Sequence, residues 1–127
     1  MSLFKGINVV SYNVTHWEAA KKFYQDTLGL GPAAVLIDEV GWMEFGAEHE
    51  AHLAINRWNG PDPVPPRDGG ATVVFTVDNA SKVVAELRQR GVKCEDPVTI
   101  PGMVTYATFY DPEGNRLQMA ESVPPPA

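Results

Sequence analysis

The chain contains two copies of one pattern: a short apolar strand, an amphipathic helix of about three turns, and then a glycine. The residues that follow each glycine alternate as short strands, without a further helical period. A repeat of this kind predicts two βαβββ units. Two such units that form one curved mixed sheet make a cup, with one helix per unit packed outside. The sequence therefore predicts an α+β fold whose concave face suits a small molecule. The two copies are Ile7–Val14, Thr15–Leu28 and Gly29, then Ala71–Asp78, Asn79–Arg90 and Gly91.

Both copies are assigned to a single domain, because 127 residues match the size of one compact domain. Module one is predicted over residues 1–58 and module two over residues 71–121, followed by a tail at 122–127. Residues 59–70 are rich in proline, which removes ladder donors, and in glycine, which disfavours regular structure. We interpret this segment as the linker between the modules.

Charge and composition exclude several classes of partner. The net charge of −6 argues against nucleic acid, since phosphate binding requires a basic surface. No apolar run reaches the length that would cross a membrane or serve as a signal peptide. Cys94 is the only cysteine, so no disulfide forms within the chain. These features predict a cytoplasmic protein.

The period of two along each strand divides the side chains between two faces. One face is predicted to pack under the helices, and it carries Val10, Tyr12, Val14, Val73, Phe75, Val77, Leu117 and Met119. The opposite face would line the cup, and it carries Val9, Ser11, Thr72, Val74, Thr76, Arg116 and Gln118. This second set is small, apolar or uncharged and polar, apart from one arginine. Such a surface leaves room for a ligand and offers it hydrogen bonds.

Aromatic and titratable residues add to the candidate ligand-binding set. Trp42, Trp58 and Tyr106 lie on strands or loops that would wall the cup, where they could stack on a flat ligand or pack the sheet or a dimer interface. Glu44 lies on the same strand face as Trp42 and is a candidate acid or base. His52 is a second candidate for acid–base chemistry or for hydrogen bonding.

Three short motifs occur in order along the chain. They are Ala20-x-x-Phe23-Tyr24-x-x-x-Leu28-Gly29-Leu30, Phe75-x-Val77-Asp78 and Asp111-Pro112-Glu113-Gly114-Asn115-x-Leu117. Together they resemble the vicinal-oxygen-chelate superfamily, which includes glyoxalase I, bleomycin-resistance proteins, fosfomycin-resistance enzymes and extradiol dioxygenases. The resemblance covers nearly the whole chain and implies the cup fold and a homodimer, with cups built within one chain or across two.

The resemblance also implies four metal-ligand positions, which the catalytic members fill with His and Glu. The first position here is Val9, five residues before Val14, and the third is Thr72, five residues before Val77. The fourth is Gln118, and the second falls near His52. Valine cannot coordinate a metal, and neutral oxygens are poor ligands for Zn, Ni or Fe. We therefore expect no metal cofactor.

These observations favour a non-catalytic module that binds a small organic molecule in its cup. The ligand-binding candidates are Ser11, Trp42, His52, Trp58, Thr72, Tyr106 and Gln118. The alternative is a metal-dependent lyase of the glyoxalase I type, or a dioxygenase, with atypical ligands such as His52, Glu44 and Glu121. Acid–base chemistry through His52 without a metal is a variant of that alternative. A third interpretation is an interaction domain whose cup is filled by its own side chains.

Overall fold

The computed structural model describes residues 3, 5–59, 63 and 71–122. Most of the predicted linker and tail therefore lies outside the described residues. The chain divides into two compact units, Met1–Pro66 and Arg67–Ala127. Within the described residues each unit contains one four-stranded sheet and one helical segment, in the order βαβββ. The predicted α+β class with two βαβββ modules is confirmed.

Module one has a mixed sheet with the strand order β1-β4-β3-β2. Strand β1 (Val9–Val14) pairs in parallel with β4 (His52–Arg57). Strand β3 (Trp42–Phe45) pairs antiparallel with β4 on one side and with β2 (Val35–Ile37) on the other. The parallel pair requires a crossover, and the helical segment between β1 and β2 provides it.

The helical segment of module one differs from the uniform α-helix that the sequence predicts. Helix α1 covers Trp17–Lys21 and continues as a π-helix over Lys22–Thr27. Thr15 with Glu18 predicts a capping box, but this prediction is wrong: the N-cap is His16, without a side-chain capping bond. The Thr15 hydroxyl instead lies 3.0 Å from Nδ1 of His16.

Module two repeats the arrangement, with the strand order β5-β8-β7-β6. Strand β5 (Val73–Thr76) pairs in parallel with β8 (Arg116–Ser122), which pairs antiparallel with β7 (Val104–Tyr110). The outer strand, β6 (Val98–Ile100), is shorter than the run Val92–Thr99 suggests. Pro97 lies directly before it and has no backbone N–H to donate to a ladder.

The sequence predicts Asp78 or Asn79 as the cap of helix α2 (Ala80–Gln89) and Gly91 as the residue that ends it. Asn79 is the N-cap, and its side-chain oxygen accepts a hydrogen bond from the amide of Lys82. Gly91 follows the helix with φ +83°, the left-handed conformation that favours glycine. The helix packs on β7 and β8.

Each module has its core between the helical segment and one face of its sheet. In module one Tyr24 is fully buried and stacks on Phe45, with ring centroids 6.2 Å apart. In module two Phe75 stacks on Phe109 at 6.3 Å. Within the part of the chain that the structure describes, the opposite face of each sheet has no helix of its own module, and we call it the open face. The fully buried side chains of the two cores include Val14, Tyr24, Met43, Ile55, Leu117 and Met119.

Candidate functional site

The open face of module one brings three candidate side chains together on adjacent strands. Strand register places Ser11, Ala54 and Glu44 side by side across β1, β4 and β3. His52 lies two residues before Ala54, and Trp42 lies two residues before Glu44, so both project from the same face. Alternation along the strands is the reason that these residues share one surface.

A hydrogen-bond network joins Trp42, Glu44 and His52. The indole N–H of Trp42 donates to Oε2 of Glu44 at 2.7 Å, and Nδ1 of His52 lies 2.8 Å from Oε1. The other ring nitrogen, Nε2 of His52, lies 3.0 Å from the carbonyl oxygen of Ala47. The side chains of His52 and Glu44 are 20% and 18% exposed, so the pair is largely shielded from water.

This geometry favours the imidazolium form of His52. A carbonyl oxygen only accepts, so Nε2 carries a proton, and a carboxylate next to Nδ1 favours a proton there too. The hydrogen bond to Glu44 and then that to the Ala47 carbonyl raise the pKa of His52. The Trp42 indole and then His52 lower the pKa of Glu44. The result is an ion pair in which both imidazole nitrogens are used within the protein.

The pair borders a cleft of about 820 Å³ in module one. One wall is the segment before β1, and the other is the turn between β3 and β4. The volume lies within the range of small-molecule pockets, about 300–1,000 Å³. The lining residues are Lys5, Gly6, Ile7, Asn8, Glu44, Glu48, His49, Glu50, Ala51 and His52.

The turn wall of the cleft is fixed to the sheet through Ala47. Its amide N–H donates to Oε1 of Glu50 at 2.6 Å, and its carbonyl accepts from His52. Gly46 precedes it with φ +145° and lies against the imidazole. A Cβ atom at Gly46 would be 2.6 Å from Cδ2 of His52, so only glycine fits there without displacing the ring.

The open face of module two contains a separate set of polar contacts. Nε and an Nη of Arg116 donate to the hydroxyl of Thr72 at 3.2 and 2.9 Å. The side-chain amide of Gln118 donates to the hydroxyl of Thr108 at 3.0 Å. Tyr106 lies opposite Ala120, two residues before Thr108 on the same strand face. Thr72 and Gln118 thus contact protein partners on the face where the sequence places them.

The residues at the implied metal positions do not fit a divalent metal. Val14 and Val77 occupy equivalent positions in the two modules, so Ser11 and Val74, each three residues earlier, are equivalent too. Ser11 pairs with Ala54, and Val74 pairs with Gln118. The second position therefore corresponds to Ala54, whereas His52 lies two residues before it. The four positions are Val9, Ala54, Thr72 and Gln118, which offer no imidazole, thiolate or carboxylate. Among the described residues no group of three or more His, Cys, Asp or Glu could hold a metal.

Ser11 and Trp58 are the remaining candidate ligand-binding residues, and both belong to module one. Ser11 is exposed on the open face of module one, and Trp58 is half-buried directly after β4, where its amide donates to the Val14 carbonyl.

Sequence reasoning missed two groups that hydrogen-bond to candidate residues on the open faces. Thr108 could have been found by counting the β7–β8 hairpin back from its turn, because it lies opposite Gln118. The Ala47 carbonyl is a loop backbone atom, for which the sequence carries no signal.

Comparisons with known proteins agree with this architecture. The model of the Glyoxalase/Bleomycin resistance protein/Dioxygenase superfamily matches residues 6–119, so the chain belongs to that superfamily. No curated protein matches the chain significantly. No helix in the described part of the chain is long and apolar enough to span a membrane.

Solved structures of the same fold cover nearly the whole chain. TnmS3, an antibiotic binding protein from Streptomyces sp. CB03234, is 24% identical, with 97% of this chain and 100% of that chain covered and a TM-score of 0.76. A glyoxalase family protein from Bacillus anthracis is 23% identical over 97% and 99%, with a TM-score of 0.73. A glyoxalase/bleomycin resistance protein from Streptomyces sp. CB03234 is 26% identical over 90% and 98%, with a TM-score of 0.65.

Proposed function

We propose that this protein binds a small organic molecule on the open face of module one, without a catalytic metal. The observation that carries the proposal is the Trp42–Glu44–His52 network beside the cleft of about 820 Å³. Binding proteins place a few oriented polar groups in a roomy pocket, and this network fixes a carboxylate in that way. The description of TnmS3 as an antibiotic binding protein supports the same class of ligand.

The chemistry of His52 supports binding rather than acid–base catalysis. A general base needs a nitrogen lone pair within reach of its substrate, and both nitrogens of His52 already face acceptors in the protein. Glu44 has two oxygens that each accept one protein donor, and a carboxylate can accept about four hydrogen bonds in total. Glu44 therefore presents acceptor capacity to a ligand with N–H or O–H groups.

A thermal-shift screen of aromatic, cationic and glycopeptide compounds tests this proposal. At least one compound is expected to raise the melting temperature of the wild-type protein, and the rise should persist after treatment with a chelator. Glu44→Gln keeps the size of the side chain but removes its charge, and it should abolish most of the rise. Glu86→Gln, on helix α2 of the other module, is the matched control and should retain it.

Two results would contradict the proposal. One is that no compound stabilises the wild-type protein. The other is that stabilisation requires an added divalent metal, which would favour a metal-dependent lyase or dioxygenase instead.

We also propose a homodimer, because the outer strands of both sheets expose apolar side chains. Leu36, Ile37 and Val40 are exposed on β2 and the turn after it, as are Ile100 and Met103 at β6. Exposed apolar patches are typical of protein interfaces. Light scattering should give twice the chain mass for the wild type and the single mass for Ile37→Lys with Ile100→Lys. A monomeric wild type would contradict the dimer.

A further inference from the structure

The carboxylate of Glu44 is held by two donors that approach different oxygens. The indole N–H of Trp42 donates to Oε2 at 2.7 Å, and Nδ1 of His52 donates to Oε1 at 2.8 Å. Each oxygen retains about one further acceptor site, because a carboxylate accepts about four hydrogen bonds in all. The protein therefore orients the carboxylate and leaves both of its oxygens able to accept in parallel.

The surroundings of Glu44 keep it charged and shielded from water. Its side chain is 18% exposed, and Trp42 and then His52 lower its pKa, so it is ionised at neutral pH. Among the residues that the structure describes, no arginine or lysine pairs with it. Hydrogen bonds to an ionised acceptor are stronger than those between neutral groups, so Glu44 is a strong partner for a donor in the cleft.

The cleft as a whole favours a cation over an anion. Three carboxylates line it against two cations, which leaves an excess of negative charge that attracts a cation. Both nitrogens of His52 face acceptors in the protein, so this cation offers no N–H group to a ligand. The charged side chains of the lining are Glu44, Glu48, Glu50, Lys5 and His52.

We propose that Glu44 binds an amidinium or guanidinium group of the ligand through two parallel hydrogen bonds, one to each oxygen. These groups are planar and positively charged, and their paired N–H donors match the two oxygens of a carboxylate. Ile7 is 73% exposed and lies on the wall before β1, where it offers apolar surface to the body of the ligand. The inference rests on the proposed binding in this cleft and names the chemical class of the ligand.

NMR titration with three benzene derivatives of nearly the same shape tests this class. Benzamidine carries the cationic pair of donors, benzamide carries a neutral amide, and benzoate is an anion. Benzamidine should bind the wild type in the millimolar range, with the largest shifts at the Trp42 indole N–H and the His52 amide. Benzamide should bind at least about tenfold more weakly, as expected for lost hydrogen bonds between charged groups, and benzoate should not bind.

Two variants identify the carboxylate that binds. Glu44→Gln removes the charge and one acceptor, and it should weaken benzamidine binding by about tenfold or more. Glu18→Gln removes an exposed carboxylate from helix α1, on the other side of the sheet, and should leave benzamidine binding unchanged. The comparison of the three compounds uses the wild type alone, so it decides the question even if Glu44→Gln fails to fold.

The results that would overturn this inference differ in what they imply for the proposed function. If benzamide or benzoate binds at the same residues as tightly as benzamidine, the cationic class is wrong but ligand binding in the cleft stands. If Glu44→Gln binds benzamidine as tightly as the wild type, the role of Glu44 is wrong. If none of the three compounds shifts the Trp42 and His52 signals, the amidinium class is wrong, and the thermal-shift screen decides the proposed function separately.

Discussion

Replacement of Gly46 by alanine tests the link between the β3–β4 turn and His52. The new Cβ would lie 2.6 Å from Cδ2 of His52, closer than carbon atoms pack, and 3.3 Å from its Cα atom, which is a tight contact. The ring could yield only by leaving Glu44 and the Ala47 carbonyl, because those contacts hold both of its nitrogens. Alanine at φ +145° also strains the backbone.

Gly29 provides a matched control in the same module. It has φ +73°, but a Cβ atom there meets nothing within 4 Å. Gly29→Ala should cost about 1–2 kcal/mol of unfolding free energy for the left-handed backbone alone. Gly46→Ala should cost about 2–6 kcal/mol, since about 1–3 kcal/mol of overlap is added to about 1–3 kcal/mol of backbone strain. The effect of alanine on the unfolded chain is common to both variants and cancels in the comparison.

Urea unfolding gives the two free energies, and NMR titration of His52 gives a second readout. The pKa of His52 should fall toward its ordinary value of 6.5 in Gly46→Ala, because the hydrogen bonds that raise it are lost. It should keep its wild-type value in Gly29→Ala. Equal destabilisation of the two variants, together with an unchanged His52 pKa in Gly46→Ala, would refute the link between the β3–β4 turn and His52.

Other predictions concern the ion pair, the final turn and the core. Because the pKa of His52 is raised and that of Glu44 is lowered, each group stabilises the fold in its charged form. The stabilisation that His52 provides is complete below pH 6.5 and is lost as the pH rises through its raised pKa. The stabilisation that Glu44 provides is complete above pH 4.5 and is lost as the pH falls through its lowered pKa. The free energy of unfolding of the wild type, measured in urea, should therefore exceed that of the double variant Glu44→Gln with His52→Gln most between pH 4.5 and 6.5. A difference that does not change with pH would contradict the pairing. Asp111→Ala should cost about 2–4 kcal/mol in urea unfolding, because this buried carboxylate accepts three hydrogen bonds within its turn, and a loss below 1 kcal/mol would contradict that role. Ile55→Ala should lower the free energy of unfolding by about 2–5 kcal/mol, because it leaves a cavity in the core. Val98→Ala, at an exposed position, should lower it by less than about 0.5 kcal/mol. Similar losses in the two variants would contradict the burial of Ile55.

The repeat and the two strand faces could be predicted because they follow from side-chain alternation alone. Leu117 and Met119 are buried in the core, as the period of two along β8 predicts, and Gln118 lies on the opposite face. A helix cap at Asp78 or Asn79 was predictable because capping is local, and Asn79 occupies it. These features require no knowledge of which strands pair.

The features that could not be predicted depend on register or on loop backbone. The spacing of Trp17, Ala20 and Tyr24 fits an α-helix and contains no signal for the π-helical turn that follows Lys21. The loop before β4 hides its register, so Ala54 could not be matched to Gln118 from the sequence. His52 was visible as a candidate, but its second partner is a main-chain oxygen.

The central claim is that the ligand binds without a metal, and calorimetry on a compound from the thermal-shift screen tests it most directly. The protein would be incubated with Zn, Ni, Mn and Fe(II), desalted and assayed for metal, with a chelator-treated sample in parallel. We expect no stoichiometric metal in the desalted protein and the same dissociation constant in both samples. Retention of about one metal per chain, with binding lost after chelation, would contradict the account and assign the superfamily's metal chemistry to this protein.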